Sequence, residues 1–170
     1  MKKERVSMPH HARQGKKMTK TFMMKLQDIQ PSQLYISSAK LAQVTKRYDP
    51  SKPETLKPVP LEKIDNETIF VDGHTRALAA FLKGLEEIRV FWEDEELDWD
   101  EYRICVEWCK KEGIRTIGDL KNRVISPRQY NVLWLKRCEK MQQDLEARRK
   151  RKQLPIRKIT RKDFGARGGI

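Results

Sequence analysis

Cysteine is scarce in this chain: Cys105, Cys109 and Cys138 are the only three in 170 residues. Three cysteines rule out a disulfide framework, and a reducing cytoplasm is the expected home. Long apolar runs are missing too. The longest, Ala77–Leu82, has six residues, against about 20 for a membrane-crossing helix, and no membrane partner is expected. The first twenty residues start basic but hold no apolar stretch of the kind a secretory leader needs. Hydrophobic residues make up 38% and charged residues 36%, with a mean hydropathy of -0.80. That is polar for a globular chain yet above the range of a fully disordered one. No acidic residue occurs from Ile29 to Tyr48.

What the chain does have is positive charge, placed at its ends. The formal net charge is +13. Residues 1–20 carry seven Lys/Arg and one Glu, and residues 148–170 carry ten Lys/Arg and one Asp. The middle holds 20 basic and 22 acidic residues, so the high pI belongs to the ends. Such ends attract DNA or another polyanion without reading its sequence. The plainer reading is solvated extensions that keep the protein soluble. A single Arg167-Gly168-Gly169 triplet adds little, and His10-His11 is given no role.

The pattern predicts a basic arm without order over 1–20, a small α+β domain over 22–96, a helical segment over 97–152 and a basic tail over 153–170. Phe22–Ile29 reads as a first strand stopped by Pro31. Ser37 or Ser38 starts a short helix to Tyr48. Val59–Ile64 and Thr68–Val71 read as strands about an Asp65-Asn66 turn, with Pro60 marking an edge or a strand start. Ala77–Leu82 is a helix closed by Gly84, and Ile88–Trp92 a third strand. Asp98 to Glu101 resembles a capping box, and Gly113 ends the helix it opens. Thr116–Val124 and Ser126–Lys140 read as two further helices. The second has Ser at the N-cap, Pro at N1 and Gln at N3, and stops before Pro155.

One stretch resembles a site. A strand enters Asp72-Gly73-His74-Thr75-Arg76, and a helix follows. A helix start presents unpaired N–H groups and the positive end of the helix dipole. Gly73 lets the backbone turn tightly, Thr75 offers a hydroxyl, and His74 can donate or accept near neutral pH. Arg76 in the first turn is unfavourable unless an anion is bound. Asp72 can orient His74, hold a metal or take a proton from a substrate hydroxyl. The plainer reading is that Asp72 caps the helix and the rest is surface.

The segment from Pro58 to Asp94 resembles the ParB/sulfiredoxin fold family, in its ParB-like nuclease-domain form. The likeness lies in Pro58–Ile64, Ile69–Arg76, the alanine pairs of Ala77–Leu82, Gly84-Leu85 and Ile88–Phe91. Leu26–Leu34 is similar to the family's opening strand. The resemblance covers about 22–96 and implies a mixed sheet with a nucleotide or phosphate site at the Gly73-His74-Thr75-Arg76 turn. ATP, ADP or CTP is the implied ligand, with Mg²⁺ beside it. Sulfiredoxins place a cysteine where Gly73 stands, and the partition proteins place two adjacent arginines after Gly-Glu. The loop is most similar to the free-serine kinase branch. That branch also uses a glutamate near the first helix, for which Glu54, Glu62 or Glu93 would have to substitute.

The reading is therefore a ParB-like nucleotide- or phosphate-binding protein acting with nucleic acid through its basic ends. The site residues are Asp72 and His74 for proton chemistry, and Gly73, His74, Thr75 and Arg76 for the phosphate. A small-molecule kinase and a non-catalytic interaction domain are the alternatives. The remaining constellations are better explained by packing. Cys105, Cys109 and Cys138 read as small buried hydrophobes rather than zinc ligands. Trp92, Trp99, Trp108 and Trp134 fall mostly on core spacing rather than on a base-stacking platform. The acidic run Glu93–Asp98 could hold Mg²⁺, but a solvated loop feeding charge to a helix start is the better reading.

Overall fold

A computed structural model describes residues 19–153. The readings made for residues 1–18 and 154–170, including most of both basic ends, lie outside the described residues. The fold is α+β.

The chain begins with β1 (Phe22–Lys25), β2 (Ile36–Ser37) and α1 (Ser38–Arg47). β3 (Val59–Ile64) and β4 (Glu67–Phe70) follow, then α2 (His74–Leu82) and β5 (Glu87–Trp92). α3 (Trp99–Lys111), β6 (Val124–Ile125), α4 (Pro127–Tyr130) and α5 (Lys136–Gln153) complete it. A π turn, Asn131–Leu135, joins α4 to α5.

The main sheet has the order β1-β5-β3-β4. β5 runs parallel to β3, and both outer pairings are antiparallel. Asp65 and Asn66, both at positive φ, close the two-residue β3–β4 hairpin, the geometry such turns require. Pro60 is the second residue of an inner strand, so it marks a strand start and not an edge. The first strand is shorter than its alternation suggests. It ends at Lys25, and Leu26–Asp28 forms a 3-10 turn. The turn buries Leu26 and leaves its N–H bonded to the Glu86 carbonyl at 2.8 Å.

The helical segment shares one core with the sheet. Tyr102, Cys105, Cys109, Trp134 and Cys138 join Val59, Leu61, Phe70 and Leu78 in a single buried cluster. Polar bonds reinforce the join. Gln30 Nε2 donates to the Ile114 carbonyl at 2.9 Å, and Arg123 Nε to that of Leu34 at 2.7 Å. β2 pairs with β6 in parallel, Ile36 beside Val124 and Ser37 beside Ile125.

The helix expected over Thr116–Val124 is not formed. Thr116 and Asp119 make a capping box, but it closes over the four-residue 3-10 turn Ile117–Leu120. Val124 and Ile125 are then drawn into β6. The next helix starts at Ser126 as expected, where the Ser126 side chain and Gln129 cap each other. The π turn keeps Tyr130, Trp134 and Cys138 facing inward at a spacing of four, wider than an α-helix turn. Val132 and Leu133 are left outside, 53% and 42% exposed.

Candidate functional site

The site grows from the end of β4. Phe70 is buried in the sheet, and its carbonyl accepts the Ser32 hydroxyl at 2.8 Å. The Val71 N–H returns to the Pro60 carbonyl at 3.0 Å, and the Val71 carbonyl accepts the Tyr102 hydroxyl. The strand end is thereby fixed before the chain turns at Asp72-Gly73.

Gly73 is the N-cap of α2, at φ +79. A Cβ there would also lie 3.0 Å from a Val59 methyl and 3.0 Å from Arg76 Nη2. Both the left-handed backbone and the crowding call for glycine. Because Gly73 takes the N-cap, Asp72 does not cap the helix, and α2 has no side-chain cap and no acidic residue in its first turn. Ala77 makes the first backbone bond, to the Gly73 carbonyl at 2.9 Å. The N–H groups of His74, Thr75 and Arg76 precede it in the turn.

His74 is 3% exposed, with its ring against Phe70. Its Nε2 accepts the Ser32 backbone N–H at 2.9 Å. The proton of the neutral ring therefore sits on Nδ1, and Nδ1 has no partner among the described residues. Burial pushes the pKa down to about 4, with Asp72 opposing and Arg76 adding to the shift. The imidazole is thus a fixed, neutral donor at neutral pH, suited to an anion contact more than to proton shuttling.

Arg76 is half-buried. Its Nη1 donates to the carbonyls of Pro58 at 2.7 Å and Lys57 at 3.2 Å. The cation tolerated in the first turn is thus partly answered by carbonyls of the loop before β3. Thr75 and Asp72 are half-buried. Burial, and then Asp72, raise the Tyr102 pKa. Asp72 also adds to the rise at Tyr130, behind burial and Cys138. The charge of the carboxylate is therefore felt at both phenols of the helical segment.

A second helix start lies at the same end, and the sequence reading missed it. α1 and α2 pack side by side. Their C-terminal ends meet where Lys83 Nζ donates to the Tyr48 carbonyl at 3.1 Å. At the opposite end β2, which leads into α1, packs on α2, so the two helices run in parallel. α1 also lacks a side-chain cap and an acid in its first turn, and that turn holds Lys40. Lys40 Nζ sits over the Tyr130 ring, 5.4 Å from its centroid. Two helix dipoles consequently present positive ends together, with no carboxylate in either first turn. The acid-free stretch from Ile29 to Tyr48 was the signal that could have found it.

Two of the clefts among the described residues open elsewhere. One, of about 260 Å³, lies between Phe81, Leu85 and Ile117; the other, of about 660 Å³, between Ile64, Ile69 and Val106. Neither is lined by a residue of Asp72–Arg76. The three cysteines are fully buried and reduced, as their spacing suggested. Among the described residues no cluster of three or more His, Cys, Asp or Glu could hold a metal, and no helix is long and apolar enough to cross a membrane.

No family model and no curated protein matches the chain. Among solved structures, the protein Atu1540 from Agrobacterium tumefaciens is similar over 59% of this chain, at 14% identity and a TM-score of 0.41. The match spans 61% of that protein's length.

Proposed function

We propose that the chain is a ParB-like nucleotide- or phosphate-binding protein whose anion site is the start of α2, acting with nucleic acid through its basic ends. The observation that carries this reading is a helix start left open. α2 begins at a left-handed glycine, without cap or acid, beside a buried imidazole N–H that lacks an acceptor. A phosphate oxygen would satisfy these donors at once. The parallel start of α1 enlarges the positive end and suits a di- or triphosphate better than one phosphate. In this reading Gly73 and Thr75 offer backbone and hydroxyl donors, His74 donates from Nδ1, and Arg76 adds charge while bracing the loop before β3. Asp72 would be the group that accepts a proton. Mg²⁺ would arrive with the nucleotide, since the described residues build no cage of their own.

A kinase acting on a small hydroxyl compound is the second reading. It is favoured by Glu93, buried at the end of β5 and felt by the same Tyr102 hydroxyl as Asp72.

The test is calorimetry of the full chain with ATP, ADP and CTP in Mg²⁺, with Thr75→Glu as the variant. A carboxylate at this position fills the anion site yet favours the helix by about 0.3–1 kcal/mol. Wild type should bind at least one nucleotide, and Thr75→Glu should lose it with an unchanged or higher Tm. Failure of all three to bind, or equal binding by the variant, would overturn the assignment.

A further inference from the structure

We propose that the folded part of this chain carries a phosphodiester-binding face of its own, where α1 meets α4, that lies along a nucleic-acid backbone. The proposal is independent of the nucleotide reading and goes beyond the basic ends. It starts from a second acid-free stretch. From Leu120 to Cys138 there are five Lys/Arg and no Asp or Glu. Ile29 to Tyr48 has three and none. The middle of the chain is otherwise slightly acidic, so both stretches stand out. The fold brings them together. β2 and β6 pair in parallel, and α1 and α4 leave the ends of those two strands side by side. Lys40 lies over Tyr130, and the Tyr130 hydroxyl accepts from Gln33 Nε2 at 3.1 Å.

Most cations of this face make no ion pair, though Arg123 and Arg137 share Glu112. Lys40, Lys46, Arg47, Lys121, Arg128 and Lys136 are all exposed, and none makes an ion pair among the described residues. Some cations on other faces are committed, Arg103 to Asp65 and Asp100, Lys110 to Glu67, Arg149 to Asp98 and Asp100, while others such as Lys63 and Lys111 are exposed and make no ion pair among the described residues. α1 itself buries no residue, so the helix stands clear on one side. Lys46 and Arg47 sit six and seven residues beyond Lys40. At 1.5 Å per residue the charge runs about 10 Å along α1. That is longer than the spacing of successive phosphates on one strand and short of a helical turn of duplex. An excess of positive charge, with Glu112 neutralised by Arg123 and Arg137, fits a phosphodiester chain, held without sequence readout.

The experiment measures binding of a duplex DNA of about 20 base pairs to the full chain, by fluorescence anisotropy across a salt series. Two charge reversals probe the face, Lys46→Glu with Arg47→Glu and Arg128→Glu with Lys136→Glu. Lys63→Glu with Lys111→Glu, exposed on another side, changes the net charge equally. Each face variant should weaken binding at least tenfold and make the log–log salt slope shallower by about 2, while the control pair changes little. Melting temperatures should match wild type, because every altered side chain is exposed. Wild-type affinity and slope in both face variants would overturn the proposal, and so would an equal loss in the control pair. Thr75→Glu should retain DNA binding, which separates this face from the nucleotide site.

Discussion

Acidification should unfold this protein through His74 in a way that a single substitution can isolate. The imidazole is buried, takes the Ser32 N–H on Nε2 and has a pKa lowered from 6.5 to about 4. Between those values the unfolded chain binds a proton that the folded chain refuses. Stability is therefore full above pH 6.5 and falls as pH drops toward 4. The shift amounts to about 3 kcal/mol at complete protonation, a large share of the 5–15 kcal/mol typical of a domain. The assay is urea denaturation at steps from pH 7.5 to 4, for wild type and His74→Gln. Glutamine can still accept the Ser32 N–H but does not titrate. The reading is the wild-type stability minus that of the variant, in which His10, His11 and the carboxylates cancel. That difference should move against wild type by about 3 kcal/mol from pH 7 to 4, with most of the change below 6.5. Parallel curves would show that the imidazole protonates in place, and would refute the burial argument. A bound phosphate that accepts from Nδ1 should oppose the acid loss.

Glu101 titrates in the opposite sense. Burial and the neighbouring Asp98 carboxylate raise its pKa to about 7, so the folded chain holds a proton that the unfolded chain gives up above about 4.5. Stability from this group falls as pH rises toward 7, and Glu101→Gln should flatten that slope in the same denaturation series. Gly73→Ala should cost about 1–3 kcal/mol in thermal melts, because the left-handed φ and the Val59 contact both resist a Cβ. Gly84→Ala meets nothing within 4 Å at a similar φ, and should cost only about 1 kcal/mol. Equal costs at the two glycines would show that crowding at Gly73 is relieved by movement.

The elements legible in the sequence were those set by local chemistry. Asp65-Asn66 marks its hairpin, Ser126-Pro127 its helix start, and Gly84 the end of α2, because each depends on residues a few positions apart. The loop Asp72–Arg76 was legible as a helix start, but the residue that caps it was not. Choosing Gly73 over Asp72 depends on Val59 and on Arg76 reaching the Pro58 carbonyl. Likewise, nothing near His74 announces that Ser32 will hold its Nε2. The end of β1 at Lys25, the 3-10 turn at Ile117 and the β2–β6 pair answer to partners more than thirty residues away.

The two-residue parallel pair of β2 and β6 has a consequence for how the molecule comes into being. Ile36 and Val124 are 88 positions apart, and the Leu34 carbonyl waits for Arg123 across a similar span. Closing a loop of that length must be met in entropy before its contacts return anything. On a ribosome, the first helix emerges long before the segment that anchors its base. The start of α1 is therefore among the last parts to be secured during synthesis, whereas the β3–β4 hairpin can close as soon as it is made. A chain halted before residue 125 should carry a formed hairpin and an unanchored first helix, and such a species would be a natural client for a chaperone.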